Sequence, residues 1–198
     1  MKVSNWWLVR HAPVPSEILY GQLDVAAEYA DEAAFNWLRC QLPREYRPVS
    51  SDLSRCVNTL EKLTAVKPLL EAGLREQNFG RWQGLTYPQI EALDPEFYKE
   101  FWQNPAESCP PEGESFQTLL LRAGQAFDRL RAGEVSADTL IVAHAGSIRA
   151  ILAKALGLLP HKALELDIAP LSLSKLTVFE DNGQTSWKIC WVNRVAPA

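Results

Sequence analysis

Two short apolar runs each end on a histidine, and the chain holds only three histidines in all. One run reads Leu8-Val9-Arg10-His11 and the other Leu140-Ile141-Val142-Ala143-His144. Short runs of β-prone apolar residues read as strands of a parallel sheet, buried on both faces. Ligands of open α/β sheets collect beyond the carboxyl ends of such strands, so both histidines are expected at one crevice. Arg10 stands beside the first, and small residues follow each: Ala12 in one case, Ala145 and Gly146 in the other. Small residues let a ligand come close to the backbone. Together with the cation they describe an anion site.

The remaining pattern is that of an α/β chain. At 198 residues and 47% hydrophobic content it can bury a sizeable core and reads as one domain, 1–198. A strand at 5–9 leads through Pro13 and Pro15 into a polar loop containing Tyr20-Gly21. Phe35, Leu38 and Leu42 recur at helical spacing and predict a helix over 27–42, closed by Pro43 and Pro48 before a short strand at 49–51. A helix over 55–65 follows, capped by Asp52 or Ser54, with Val57, Leu60, Leu63 and Thr64 inward. Arg55 falls in its first turn, where a cation opposes the helix dipole and calls for a compensating anion.

Residues 76–115 are rich in Pro and Gly and carry Trp82 and Trp102, which predicts short helices and loops forming a cap. From Ser115, apolar residues at three- and four-residue steps give a long amphipathic helix ending at Gly133. A strand at 138–143, a helix at 147–156 and an antiparallel pair at 173–179 and 187–192, turning at Asp181-Asn182-Gly183, complete the chain. The Trp6-Trp7 pair reads as core packing, whereas Trp82 and Trp102 are placed to stack on a substrate ring.

Composition excludes several classes. A net charge of −4 and a pI near 5.5, without basic blocks, exclude nucleic acid as a partner. No stretch reaches the roughly 18 apolar residues of a membrane span, and the first residues lack a cleavage pattern, so a soluble cytoplasmic protein is expected. Cys40, Cys56, Cys109 and Cys190 are far apart and suggest neither zinc nor disulfides but four reduced thiols. His161 reads as a surface residue.

Four ordered blocks carry a resemblance. They are Arg10-His11-Ala12; Ser50-Ser51-Asp52-Leu53-Ser54-Arg55; Leu74-Arg75-Glu76 with Phe79-Gly80-Arg81-Trp82-Gln83-Gly84; and His144-Ala145-Gly146 with Arg149. In this order they resemble the histidine phosphatase superfamily, the phosphoglycerate-mutase-like group. The resemblance implies a three-layer α/β sandwich with a mostly parallel central sheet and helices on both faces. It also implies a phosphomonoesterase that needs neither metal nor cofactor. His11 would attack phosphorus through an unprotonated nitrogen, while Arg10, Arg55, His144 and the backbone at Ala145 hold the phosphate. Glu76 would protonate the leaving oxygen and then activate water.

The chain departs from the family pattern at three places. Ala12 and Ala145 replace glycines, and at a positive φ either methyl would strain the backbone by about 1 kcal/mol. Glu17 stands where many members have an Asn that contacts the phosphate, which leaves Ser16 or the backbone at Tyr20-Gly21 as substitutes. The Tyr20-Gly21-Gln22-Leu23-Asp24 loop and Pro110-Pro111-Glu112-Gly113-Glu114-Ser115 resemble the alpha-ribazole phosphatase-like branch. That branch implies a small-molecule phosphomonoester, alpha-ribazole 5'-phosphate or a sugar phosphate, with Ser16, Tyr20, Gly21 and Trp82 as substrate contacts. Phosphoglycerate-mutase-type transfer and a non-catalytic phosphate- or phosphopeptide-binding module are the alternatives, and a homodimer is left open.

Overall fold

The computed structural model describes residues 1–133 and 138–197. Six strands form one sheet in the order β3-β2-β4-β1-β5-β6: β1 (Lys2–Arg10), β2 (Arg47–Ser50), β3 (Leu69–Leu70), β4 (Asp138–Ala143), β5 (Leu173–Asp181) and β6 (Gln184–Arg194). β1, β2, β3 and β4 run parallel, and β5 and β6 form an antiparallel hairpin on the β1 side. Asn182 and Gly183, both at positive φ, make its turn, the backbone that matches strand twist and that Asn-Gly favours.

Strand alternation divides the interior into two cores. Trp6 and Leu8 of β1 join Ile141 and Ala143 of β4 beneath α5 (Phe116–Ala132) and α6 (Ala145–Leu156). Trp7, Val9, Leu140 and Val142 pack on the opposite face beneath α1 (Glu32–Gln41) and α2 (Ser54–Glu61). β1 and β4 are therefore apolar on both faces, and each buried Leu, Ile or Val among them contributes roughly 1.5–3 kcal/mol by leaving water. Helices on both faces of a central sheet make the three-layer sandwich.

Between α2 and α5 the chain forms two 3-10 turns, Ala72–Leu74 and Gly80–Trp82, then α3 (Tyr87–Leu93) and α4 (Pro95–Gln103). Trp82, Ile90 and Phe101 give this stretch a small core of its own. The four-residue α7 (Pro160–Ala163) carries exposed His161.

Local structure differs from the sequence expectation at several points, three of them instructive. β1 begins at Lys2, because antiparallel pairing with β5 extends from Lys2↔Glu180 and sustains polar residues that alternation alone reads as loop. α1 begins at Glu32, five residues later than expected, because the Asp31 side chain caps it by accepting from the Ala34 N–H at 2.9 Å. Neither Asp52 nor Ser54 caps α2. Asp24, thirty residues upstream, accepts from the Ser54 N–H at 2.8 Å and the Ser54 hydroxyl at 2.7 Å. It thereby brings a negative charge to that helix N-terminus, while Asp52 turns to a two-bonded pair with Arg75 at 2.7 and 2.6 Å.

Candidate active site

The parallel register of β1 and β4 pairs Arg10 with Ala143, and the His11 N–H donates to the Ala143 carbonyl at 3.0 Å. Both strands thus release their histidines at one level. The connection leaving β1 runs to β2 on one side and that leaving β4 to β5 on the other, which opens a crevice between them. There the two imidazoles lie 5.1 Å apart at 65°. His11 Nδ1 is 2.7 Å from the Ala12 carbonyl. A carbonyl oxygen only accepts, so Nδ1 carries the proton and Nε2 is left with a free electron pair. His11 is only 1% exposed. Burial, with lesser effects from Arg55 and Arg10, lowers its pKa to about 3 against the opposing pull of the Ala12 carbonyl.

His144 is fully buried at the start of α6. Its Nε2 lies 2.9 Å from Ser51 Oγ and 3.3 Å from Cys56 Sγ, and its backbone N–H donates to Ser147 Oγ at 3.1 Å. Burial, then His11 and the surrounding arginines, hold its pKa well below the ordinary value. Burial likewise pushes the Cys56 thiol far up, and none of the four cysteines is paired. Ala145 is the first residue of α6, where backbone N–H groups have no partner within the helix.

Two arginines reach this place without a carboxylate. Arg10 Nη1 donates to the Ile168 carbonyl at 2.6 Å. Arg55, wholly buried, donates from Nη1 to the Leu23 carbonyl at 2.8 Å and from Nη2 to the Gly21 carbonyl at 2.6 Å, with the Tyr20 ring 5.0 Å away. Neither forms an ion pair among the described residues, and the Nε of each is buried without a hydrogen-bond partner. Unpaired buried cations are costly unless an anion completes them. The loop carbonyls aim both guanidinium groups while spending only part of their five donors.

Glu76 comes from the irregular stretch between the two 3-10 turns. Its Oε1 accepts from the Gln77 N–H at 2.9 Å and its Oε2 from the Gly146 N–H at 3.1 Å. A Cβ on Gly146 would lie 2.1 Å from Glu76 Oε1, so this approach requires glycine. Ala12 and Ala145 carry no such demand: neither has a positive φ, and the expected backbone strain is absent. The methyl of Ala12 is simply part of the core, while its N–H donates to Thr59 Oγ1 at 2.9 Å.

A cavity of about 650 Å³ opens over the site, walled by Arg10, Glu76, Gly146 and Arg149 and on the cap side by Phe101 and Trp102. Ser16, Glu17, Tyr20 and Gly21 also line it, whereas His11, Arg55 and His144 are buried and form none of its wall. Trp82 does not line it. At 5% exposure it packs edge-on against Phe101 and Phe97 in the cap's own core, because its indole is the largest apolar group available there. Tyr87 and Trp102 face the cavity instead, with rings 6.0 Å apart and exposures of 45% and 46%.

Arg149, quoted in the fourth block but given no role, donates from Nε to the Leu166 carbonyl at 2.8 Å, two residues from the carbonyl that holds Arg10. Its signal was its spacing three residues after Gly146, on the same helical face. Tyr87 arrives through a bridge between Ile18 and Thr86, a contact with no local sequence signal. Among the described residues no group of three or more His, Cys, Asp or Glu could hold a metal ion, and no helix is long and apolar enough to cross a membrane.

Comparison with known proteins adds three likenesses and one family. The sequence profile of the histidine phosphatase superfamily (branch 1) matches residues 6–189. A bifunctional protein of Mycobacterium tuberculosis is 34% identical over 134 residues, covering 64% of this chain, which spans only 36% of that relative's length. The structure of mycobacterial glucosyl-3-phosphoglycerate phosphatase superposes with a TM-score of 0.81 at 27% identity, covering 97% of this chain and 99% of that one. An alpha-ribazole phosphatase from Shigella flexneri has a TM-score of 0.80 over 96% of both chains, but at 19% identity it speaks for the fold alone.

Proposed function

The chain belongs to the histidine phosphatase superfamily (branch 1), and on that premise we propose that it is a metal-independent phosphomonoesterase working through a phosphohistidine. The observation that carries this reading is the Ala12 carbonyl on His11 Nδ1, which leaves Nε2 unprotonated beside two arginines with unpartnered donors. Phosphoryl transfer asks an enzyme chiefly to position the group and to neutralise its equatorial oxygens. Arg10 and Arg55 supply N–H donors for those oxygens, joined by the N-terminus of α6.

His11 Nε2 forms the bond to phosphorus in line with departure of the ester oxygen. Glu76, held by two backbone N–H groups, gives that oxygen its proton. The resulting carboxylate then takes a proton from water, which attacks the phosphohistidine and releases inorganic phosphate. With a pKa near 3, His11 stays neutral and nucleophilic from pH 5 to 8.

The substrate we favour is a ring-bearing small-molecule ester, alpha-ribazole 5'-phosphate or a glycosylated phosphate. In favour of it, Tyr87 and Trp102 offer half-exposed ring faces to the cavity, and a relative of similar length acts on glucosyl-3-phosphoglycerate. Release of phosphate from para-nitrophenyl phosphate in the presence of EDTA, beside a His11→Ala control, tests the mechanism. Chelator-resistant turnover that vanishes in the control is expected. Turnover surviving His11→Ala would sink the phosphohistidine, and phosphate exchange stimulated by a bisphosphorylated cofactor would favour a mutase.

A further inference from the structure

We propose that Arg122, paired with Glu114, is a positioning residue for Glu76, governing proton transfer without touching the phosphate. The proposal rests on the reading of Glu76 as proton donor. Residues 75–79 lie between two 3-10 turns and outside any strand ladder, so their backbone groups need partners from elsewhere. Arg122, in the second turn of α5, provides them. Its Nη1 donates to the carbonyls of Gly73 at 2.9 Å and Arg75 at 3.1 Å, and its Nη2 to the carbonyl of Glu76 itself at 3.2 Å.

The same guanidinium is turned by Glu114, with Nε 3.2 Å from Oε2 and Nη2 on Oε1. Glu114 in turn grips the far end of the stretch. Its Oε1 accepts from the Asn78 N–H at 2.9 Å, its backbone N–H donates to the Asn78 carbonyl at 2.8 Å, and its carbonyl accepts from Gln77 Nε2 at 2.9 Å. Residues 73 to 78 are thus clamped at both ends by one ion pair, with Glu76 between the jaws. Among the described residues the Glu76 carboxylate accepts from two N–H groups only, and Gln22 Nε2 adds a second donor to the Glu76 main-chain carbonyl at 3.1 Å, so the direction of the Cα–Cβ bond is set by this backbone. Displacement of a catalytic group by an ångström costs on the order of 10²-fold in rate. The planar fork reaches three carbonyls and a carboxylate at once, which a lysine ammonium does not. The sequence had singled out Glu114 in the Pro110–Ser115 block without giving it work.

The test compares Arg122→Gln and Glu114→Gln, each alone and in a Glu76→Gln background, on two esters. Para-nitrophenyl phosphate has a good leaving group that needs little protonation; β-glycerophosphate releases an alkoxide that must be protonated. Arg122→Gln is expected to lower kcat on β-glycerophosphate by about 10²-fold, within the range general acid catalysis supplies, and on the nitrophenyl ester far less, with KM little changed. That selectivity should vanish once Glu76 is already Gln. Glu114→Gln should act in the same direction but less, and decides the matter if Arg122→Gln does not fold. Equal losses on both esters, or a loss that adds in full to that of Glu76→Gln, would overturn the proposal. If Glu76→Gln itself treats the two esters alike, the reading of Glu76 as proton donor falls and the proposal with it. If Glu76→Gln is selective and Arg122→Gln is not, only the proposal falls.

Discussion

Gly146→Ala separates the chemistry of this site from its stability more sharply than any change to a charged residue. An alanine Cβ would stand 2.1 Å from Glu76 Oε1, 3.2 Å from Glu76 Cδ and 3.1 Å from Leu119 Cδ1. The leucine methyl can turn aside, but the carboxylate must retreat by on the order of 1 Å to reach van der Waals separation. In retreating it loses the 3.1 Å bond from the Gly146 N–H, a charge-assisted interaction worth about 1.5–3 kcal/mol. A shift of that size costs roughly 10²-fold in kcat for esters whose leaving oxygen needs a proton. Stability should fall only modestly, because helix propensity offsets part of the lost hydrogen bond. Position 146 is in α6 with ordinary helical φ, and alanine exceeds glycine there by up to about 1 kcal/mol. Phosphate release from β-glycerophosphate, read beside a thermal melt, is the assay. An unchanged kcat would refute the reasoning, because no relaxed geometry leaves the carboxylate where it is. A fall in kcat accompanied by a collapse of the melting temperature would also refute it, since the helix would then be failing, not the acid.

Acid should destabilise the free protein through its buried histidines. The pKa of His11 falls from an unfolded value near 6.5 to about 3, so the folded state binds fewer protons in that window. Stability is complete above pH 6.5 and declines as pH falls toward 3, by about 2 kcal/mol at pH 5 from His11 alone, with His144 acting in the same direction. Urea unfolding at pH 7 and 5 should give a shallower decline for His11→Gln than for the parent, and identical slopes would contradict the burial argument. Asp24→Ala should cost about 1 kcal/mol by uncapping α2 and should raise KM by loosening the loop whose carbonyls aim Arg55. Asp24→Asn, which keeps an acceptor, should lie near the parent in both the melt and KM. Trp82→Ala should cost about 3–5 kcal/mol as a core deletion, whereas Trp102→Ala should leave the melt almost unmoved and raise KM for ring-bearing esters over glycerol phosphate. Equal KM ratios for the two ester types would remove Trp102 from the substrate.

The parts of this molecule that could be read from the chain are those whose causes are local. The alternation through Trp6–Val9 and Leu140–Ala143 encodes strands buried on both faces, and Ser115 and Gly133 bracket α5 where expected. Both histidines were legible because a strand end is itself a local signal. What escaped came from distant partners. Nothing near α2 announces that Asp24 will cap it, and Trp82 and Trp102 look alike until the cap closes around one and leaves the other at the cavity. The two-residue β3, exposed at the sheet edge, is an apolar pair, Leu69-Leu70, too short to betray a strand. Arg122 offers a fourth case: on an amphipathic helix it reads as a solvated face, and only the approach of Glu114 and of residues 73–76 gives it partners.

The cations and the imidazole at the centre are steered by main-chain oxygens: Ile168 for Arg10, Leu23 and Gly21 for Arg55, Ala12 for His11. A peptide carbonyl is the same chemical group whatever side chain hangs beside it. An exposed residue such as Leu23 can therefore change identity without altering what Arg55 feels, provided the backbone keeps its path. A scaffold wired in this way can drift freely in the loops that meet different substrates while its reactive centre stays constant, and variant libraries confined to those loop side chains should retain turnover while varying in selectivity.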